Sequence, residues 1–88
     1  MAYKVIWTDE AINSFESIID YLETNFSEKE ICNFVNATSD KIRLIENNPL
    51  MWRRSSRFKN IYYTNIIRTV ILVYGFKPRL KIAELIHF

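Results

Sequence analysis

The chain has 88 residues, of which 49% are hydrophobic and 15% aromatic, with one glycine and two prolines. This composition predicts a single compact domain over residues 1–88 and excludes a disordered or fibrous chain and a large substrate cavity. Cys32 is the only cysteine, which excludes an internal disulfide and a cysteine-based zinc site and is typical of a reducing cytoplasm. The start MAYKVIW is too short for a signal peptide, and no apolar run reaches the roughly 18 residues of a membrane helix, so no contact with a membrane is predicted.

The formal net charge of +2 conceals a strong asymmetry between the two halves of the chain. Residues 1–48 carry four basic and nine acidic side chains, whereas residues 49–88 carry eight basic side chains and one acidic one. A basic half of this kind attracts polyanions or an acidic protein segment. Alternatively, the two halves attract each other across the fold.

The first predicted elements are a short strand and a helix. YKVIW, residues 3–7, reads as a strand. Thr8 or Asp9 then caps a helix, because an apolar stripe follows at steps of three and four residues. Its members are Ile12, Phe15, Ile19, Leu22 and Phe26.

A second helix follows almost without a loop. In SEKE, Ser27 and Glu30 have the spacing of a capping box, and Asn48 and Pro49 end the apolar stripe. The stripe comprises Ile31, Phe34, Val35, Thr38, Ile42 and Ile45. Two amphipathic helices in this order predict an antiparallel hairpin whose apolar seam another layer must cover.

Three strands are predicted to form that layer. After the loop NPLMWRRSS, the segments KNIYY, IIRTVILVYG and LKIAELIHF are rich in β-branched and aromatic residues, with breaks at Thr64–Asn65 and FKPR. The predicted class is therefore α+β: an N-terminal strand, an antiparallel two-helix hairpin and a three-stranded antiparallel meander packed as a sandwich.

Turns centred on these breaks would decide which side chains face each other. A turn about Lys77–Pro78 places Arg68 opposite His87. With a first turn about Thr64–Asn65, one face carries Lys59, Arg68, Lys81 and His87. The opposite face, predicted to pack on the helices, carries Ile67, Ile71, Val73, Leu80, Ile82 and Ile86.

Two residues of the predicted basic face could take part in catalysis. Arg68 interrupts an apolar run, so its guanidinium either pairs with a carboxylate such as that of Glu84 or clamps a phosphate. His87, the only histidine, is either an idle terminal residue or a general acid or base. Together they resemble half of a metal-free ribonuclease site.

The loop before the strands combines positive charge with aromatic surface. Residues of this type line single-strand RNA grooves, although a solvated loop is the alternative. The candidate residues for nucleic-acid or partner binding are Trp52, Arg53, Arg54, Arg57 and Lys81. Because the sequence has no phosphate-binding glycine loop, Ser/His/Asp set or metal-ligand cluster, neither a metal nor a cofactor is predicted.

The order of these elements resembles the RelE/ParE toxin superfamily, toxins of bacterial type II toxin-antitoxin systems that include plasmid stabilisation proteins. The resemblance spans nearly the whole chain and lies in the strings YKVIWTDEAINSFESIIDYL, LIENNP, RRSSRFK, IIRTVILVYGF and IAELIHF. It implies a cytoplasmic toxin with an α+β fold that a cognate antitoxin holds inactive.

The resemblance implies two alternative mechanisms. RelE-like members, including the YoeB branch, cut mRNA on the ribosome without a metal, whereas ParE-like members poison DNA gyrase. Arg68 matches an arginine of both branches, Lys59 stands for a RelE-type lysine, and His87 with Phe88 matches the terminal His-Tyr pair of YoeB-like nucleases, although Phe88 lacks the hydroxyl. No counterpart of the YoeB-type glutamate base is evident.

The long helix hairpin is typical of the ParE-like group, and the missing general base weighs against cleavage. The expected function is therefore a ParE-like toxin acting on DNA gyrase. An mRNA endoribonuclease acting with Arg68, His87 and Lys59 is the alternative, so enzymatic activity is left open. A non-catalytic module that binds RNA or an acidic peptide is a second alternative.

Overall fold

A computed structural model describes residues 3–88, so Met1 and Ala2 of the predicted start lie outside the described residues. The elements are β1 (Lys4–Trp7), α1 (Asp9–Asn25), α2 (Glu28–Asn47), β2 (Arg53–Arg54), β3 (Ile61–Ile67), β4 (Val70–Lys77) and β5 (Ile82–His87). The predicted α+β class, with its N-terminal strand and helix hairpin, is confirmed. Within residues 3–88, no helix is long and apolar enough to span a bilayer.

Thr8, one of the two predicted capping residues, is the N-cap of helix α1. The Thr8 hydroxyl oxygen accepts a hydrogen bond from the Ala11 backbone N–H at 3.1 Å, and the hydroxyl donates to the Leu85 carbonyl oxygen at 2.7 Å. One side chain therefore satisfies an otherwise unpaired donor of α1 and joins that helix to β5.

Helix α2 begins after Ser27 and is followed by its C-cap Asn48, as the sequence predicts. The capping box, however, differs in detail. The Ser27 hydroxyl makes no hydrogen bond to the helix backbone and instead donates to the Glu30 carboxylate at 2.8 Å on the exposed surface. The two side chains satisfy each other, so the backbone donors of α2 do not gain from the cap.

The five strands form one sheet in the order β1-β5-β4-β3-β2. Strand β1 runs parallel to β5, and the other neighbours are antiparallel, which includes the predicted meander. The two-residue strand β2 was not predicted, because Arg53 and Arg54 lie in a loop without apolar alternation.

The first hairpin turns at Arg68–Thr69, so the prediction of a turn at Thr64–Asn65 is wrong. Thr64 is only 5% exposed and continues β3 with its β-branched side chain against the core, while Asn65 faces outward. The turn signal of a Thr-Asn pair therefore loses to strand packing.

The second hairpin turns over residues 78–81, because β4 continues through Lys77. His87 consequently lies opposite Val73, and the predicted pairing of Arg68 with His87 is wrong.

The predicted choice of sheet faces is also wrong. Leu80 is 65% exposed in the turn, and Ile71, Val73, Ile82 and Ile86 lie on the face away from the helices; of the predicted set, only Ile67, beyond a bulge, packs against the core. The strand residues buried under the helices are Tyr62, Thr64, Ile66, Leu72, Tyr74, Phe76, Ala83 and Leu85.

Candidate functional site

His87 ends β5 and contacts the first turn of α1 rather than Arg68. Its Nδ1 lies 2.8 Å from a carboxylate oxygen of Glu10, and the side chains are 53% and 65% exposed. An exposed pair of this kind stabilises a fold by at most about 1 kcal/mol. The contact holds the imidazole at the surface, with Nδ1 turned toward the Glu10 carboxylate.

Arg68 lies in the turn between β3 and β4 and is exposed. It makes no ion pair with another residue of the range 3–88, so the predicted partner Glu84 is not its partner; Glu84 lies 3.7 Å from Lys77. As a turn residue, Arg68 is free to reach an external anion.

Lys59 and Lys81 also lie in turns instead of on a common strand face. Lys59 precedes Asn60, whose φ of 63° begins the entry into β3, and Lys81 itself has a φ of 55° before β5. Lys59 and Arg68 therefore flank opposite ends of the seven-residue strand β3, which is about 20 Å long. The predicted face shared by Lys59, Arg68, Lys81 and His87 does not exist.

The predicted basic segment is exposed, as expected for a binding surface. Arg53 and Arg54 form β2, and the Arg57 guanidinium lies 5.6 Å from the Phe58 ring, which is 59% exposed. None of the three arginines pairs with a carboxylate of residues 3–88. The acidic helices thus do not neutralise this segment by direct contact, which favours an external anion over the alternative of mutual attraction.

Trp52 is half-buried beside this segment and contacts a residue that the sequence did not single out. Lys41 Nζ of α2 lies 4.0 Å from the Trp52 ring centroid. Lys41, Trp52 and Arg53 line a cavity of about 230 Å³ together with Tyr63 and Asn65 of β3, which we call the edge pocket. No spacing in the sequence predicts it, because its residues come from separate segments.

A larger cavity of about 640 Å³ lies between the turn joining the helices and the β3–β4 turn. We call it the tip cavity. Tyr21 and Phe26 at its rim are 58% and 50% exposed, and Thr69, next to Arg68, also lines it. An apolar opening of this size is typical of a docking site for another apolar side chain or segment.

The hydroxyl of Tyr74 is the perturbed titratable group of the core. Burial, and to a smaller extent the nearby Tyr62, raises the pKa of Tyr74 well above its usual value. Its hydroxyl donates to the Pro49 carbonyl oxygen, and the ring stacks on Tyr62 at 5.6 Å. Since the ring is fully buried, this group supports the fold and cannot reach a substrate. Within residues 3–88, no cluster of three potential metal ligands occurs.

These features describe a small α+β protein with an exposed basic edge and an apolar cavity at the helix tip. Residues 5–87 match the sequence model of a protein family described as the ParE toxin of type II toxin-antitoxin system, parDE. A search of curated proteins finds no match.

The match covers nearly the whole chain, and the chain therefore belongs to the ParE toxin family of type II toxin-antitoxin systems. It is the toxin component of such a system, and a cognate antitoxin is the partner that this membership implies. The RelE/ParE resemblance of the sequence is confirmed.

Proposed function

We propose that this toxin inhibits growth in the cytoplasm by acting on DNA gyrase and that it does not cut mRNA. The observation that carries this proposal is the separation of the three candidate catalytic residues. Arg68 and Lys59 flank opposite ends of β3, while His87 contacts Glu10 on α1. In-line attack on a phosphate needs an acid, a base and an anion clamp within a few ångströms of one another.

The helix hairpin gives further support. Helix α1 has 17 residues and α2 has 20, and helices of this length are typical of the ParE-like group that the sequence resembles. The matched family carries the ParE description over residues 5–87. Both observations favour the gyrase branch over the ribosome-dependent branch.

The antitoxin, in this proposal, covers the parts of the surface that the fold leaves unsatisfied. Three arginines are exposed and form no ion pair with a carboxylate of residues 3–88, namely Arg53, Arg54 and Arg57. The tip cavity offers apolar surface next to the exposed rings of Tyr21 and Phe26. A partner with an acidic segment and an amphipathic helix would match both features.

The proposal is tested by inducing the toxin in bacteria without its antitoxin. Growth, chromosomal double-strand breaks and mRNA cleavage at ribosomal A sites are measured in the same cultures. We expect growth arrest with DNA breaks and intact mRNA, and we expect coexpression of the antitoxin to restore growth. Normal growth on induction of the intact protein would contradict toxicity itself.

His87→Ala and its matched control Glu10→Ala separate the two mechanisms further. Both variants break the contact between the two side chains, but only the first removes the imidazole. The gyrase mechanism predicts that both variants remain toxic. The ribonuclease alternative predicts that His87→Ala and Arg68→Ala lose activity while Glu10→Ala retains it.

A further inference from the structure

The edge pocket lies where the edge of β3 is no longer paired with β2. Strand β2 pairs with only two residues of β3, through Arg53 with Tyr63 and Arg54 with Tyr62. Beyond Tyr63 the edge of β3 continues without a partner among residues 3–88. The pocket is lined there by α2, by the segment before β2 and by β3.

Three side chains of the pocket, those of Lys41, Trp52 and Arg53, carry only hydrogen-bond donors, whereas Tyr63, Thr64 and Asn65 can also accept. Lys41 and Arg53 bring two positive charges, and neither makes an ion pair within the described residues. The Trp52 Nε1–H is buried and has no hydrogen-bond partner in the described structure. Ammonium and guanidinium groups are positively charged and cannot accept hydrogen bonds, so Lys41 and Arg53 favour a ligand that supplies anionic acceptor oxygens.

Two features of the Trp52 ring argue against a nucleic acid base as the ligand of the pocket. Lys41 Nζ lies over the ring at 4.0 Å from its centroid and occupies one face. The ring is also half-buried and packs against the core. Because sequence-tolerant binding of single-stranded nucleic acid depends on stacking of bases on exposed aromatic faces, a carboxylate is favoured over a nucleotide.

The backbone beside the pocket can bind an extended peptide. The Ile61 carbonyl oxygen accepts from the Ser55 N–H across the β2 side, and the Asn60 carbonyl oxygen accepts from the Phe76 N–H on the β4 side. Since the backbone groups of a strand alternate between its two sides, those of Tyr63 and Asn65 point to the β2 side. On that side Arg53 pairs with Tyr63, but no described residue forms a strand pair with the exposed Asn65, whose partner Ile71 lies on the β4 side.

We propose that the edge pocket binds an extended acidic segment of a protein partner, with a carboxylate between Lys41 and Arg53 and with its main chain alongside Asn65. Main-chain hydrogen bonds to an open sheet edge give affinity, and the side-chain pocket gives specificity. The inference rests on the proposed function in one respect, because the antitoxin is the partner to which such a segment would belong.

The probe is a synthetic ten-residue peptide that alternates glutamate with threonine, titrated into the full chain labelled with ¹⁵N. A peptide with glutamine in place of glutamate is the neutral control. Hexauridylate is the nucleic acid control, because its five phosphodiesters carry as many negative charges as the five glutamates of the peptide. We expect the acidic peptide to shift the Trp52 indole and Asn65 amide resonances, with little response to the other two probes.

Lys41→Gln and Arg53→Gln should each weaken binding of the acidic peptide by about tenfold, because each removes a charge-assisted contact. Arg79→Gln is the matched control, since it removes one positive charge from an exposed turn residue outside the pocket. We expect less than about a twofold effect from this control, as for a distant screened charge.

Equal weakening by all three variants would overturn the proposal, because binding would then follow net charge alone. Tighter binding of hexauridylate, with shifts of the same resonances, would overturn it in favour of a nucleic acid ligand. These titrations measure neither toxicity nor gyrase activity. A toxin that breaks DNA but ignores the peptide would refute this inference and leave the proposed function intact.

Discussion

Tyr74→Phe removes one hydroxyl from the centre of the fold. Tyr74 is fully buried, and its hydroxyl is the donor to the Pro49 carbonyl oxygen in the segment that follows α2. Without it, a buried acceptor loses its partner, which costs about 1–2 kcal/mol of unfolding free energy. For a domain of this size, that loss corresponds to a fall in Tm of roughly 4–16 °C.

The same substitution has a consequence at alkaline pH. Burial raises the pKa of Tyr74 in the folded state, whereas in the unfolded chain a tyrosine titrates near pH 10. The stabilisation that the protonated Tyr74 hydroxyl contributes is therefore complete below about pH 10. It is lost as the pH rises from there toward the folded-state pKa of Tyr74. Over that window the wild type should lose up to about 1.4 kcal/mol per pH unit more than Tyr74→Phe loses.

Urea unfolding of both proteins at pH 7 and at several alkaline values, followed by circular dichroism, measures both effects. Tyr21→Phe is the matched control, because it removes a hydroxyl from a ring that is 58% exposed. We expect this control to change stability by less than about 0.5 kcal/mol. If Tyr74→Phe were as stable as the wild type at pH 7 and lost stability equally fast at alkaline pH, the buried hydroxyl would not have the role assigned to it.

Three further predictions are tested by thermal or urea unfolding. Gly75→Ala should stabilise the protein by about 0.5–1 kcal/mol, because the added Cβ would lower the entropy of the unfolded chain. In the folded state this Cβ would lie 3.4 and 3.5 Å from the side-chain ends of Ile61 and Ile86 and 3.8 Å from the Asn60 carbonyl oxygen, which are contacts that the fold can accommodate. A loss of stability would contradict this. Thr8→Ala should lower the free energy of unfolding by about 1–2 kcal/mol, because it removes the side-chain cap of α1. Ser27→Ala should lower it by less than about 0.5 kcal/mol, because the Ser27 side chain makes no hydrogen bond to the backbone of α2. Equal losses would contradict the assigned caps. A double-mutant cycle on His87 and Glu10 should give a coupling below about 1 kcal/mol, and a larger value would mean that the pair is not solvent-screened.

The helices could be predicted from the sequence because their signals are local. Apolar residues recur at helical spacing, Thr8 and Ser27 mark the starts, and Asn48 marks the end of α2. The order of the elements then follows from alternating helical and strand patterns. These features gave the α+β class and the helix hairpin correctly.

The faces of the sheet could not be predicted because β4 is apolar on both sides. In VILVYGF, Leu72 and Tyr74 are buried under the helices, while Ile71 and Val73 lie on the other face with similar hydrophobicity. Alternation therefore gives no information on which set is buried. The choice depended on the two turns, and both turns are shifted along the chain from their predicted positions.

The candidate site was predictable only in part. The exposed arginines of the segment 53–57 follow from composition, but Lys41 reaches Trp52 only through packing of α2 on the sheet. Likewise Glu10 reaches His87 only because β5 ends beside the start of α1. The contacts of Lys41 with Trp52 and of Glu10 with His87 join different elements of the fold, so no local sequence pattern predicts them.

Reconstitution with purified DNA gyrase distinguishes a gyrase poison from an mRNA endoribonuclease in one experiment. Supercoiled plasmid, gyrase and ATP are incubated with the toxin, and in parallel the toxin is added to translating ribosomes with a defined mRNA. We expect the toxin to make gyrase accumulate cleaved linear plasmid while the mRNA stays intact. Unaltered gyrase activity together with mRNA cut at the ribosomal A site would contradict the proposed function.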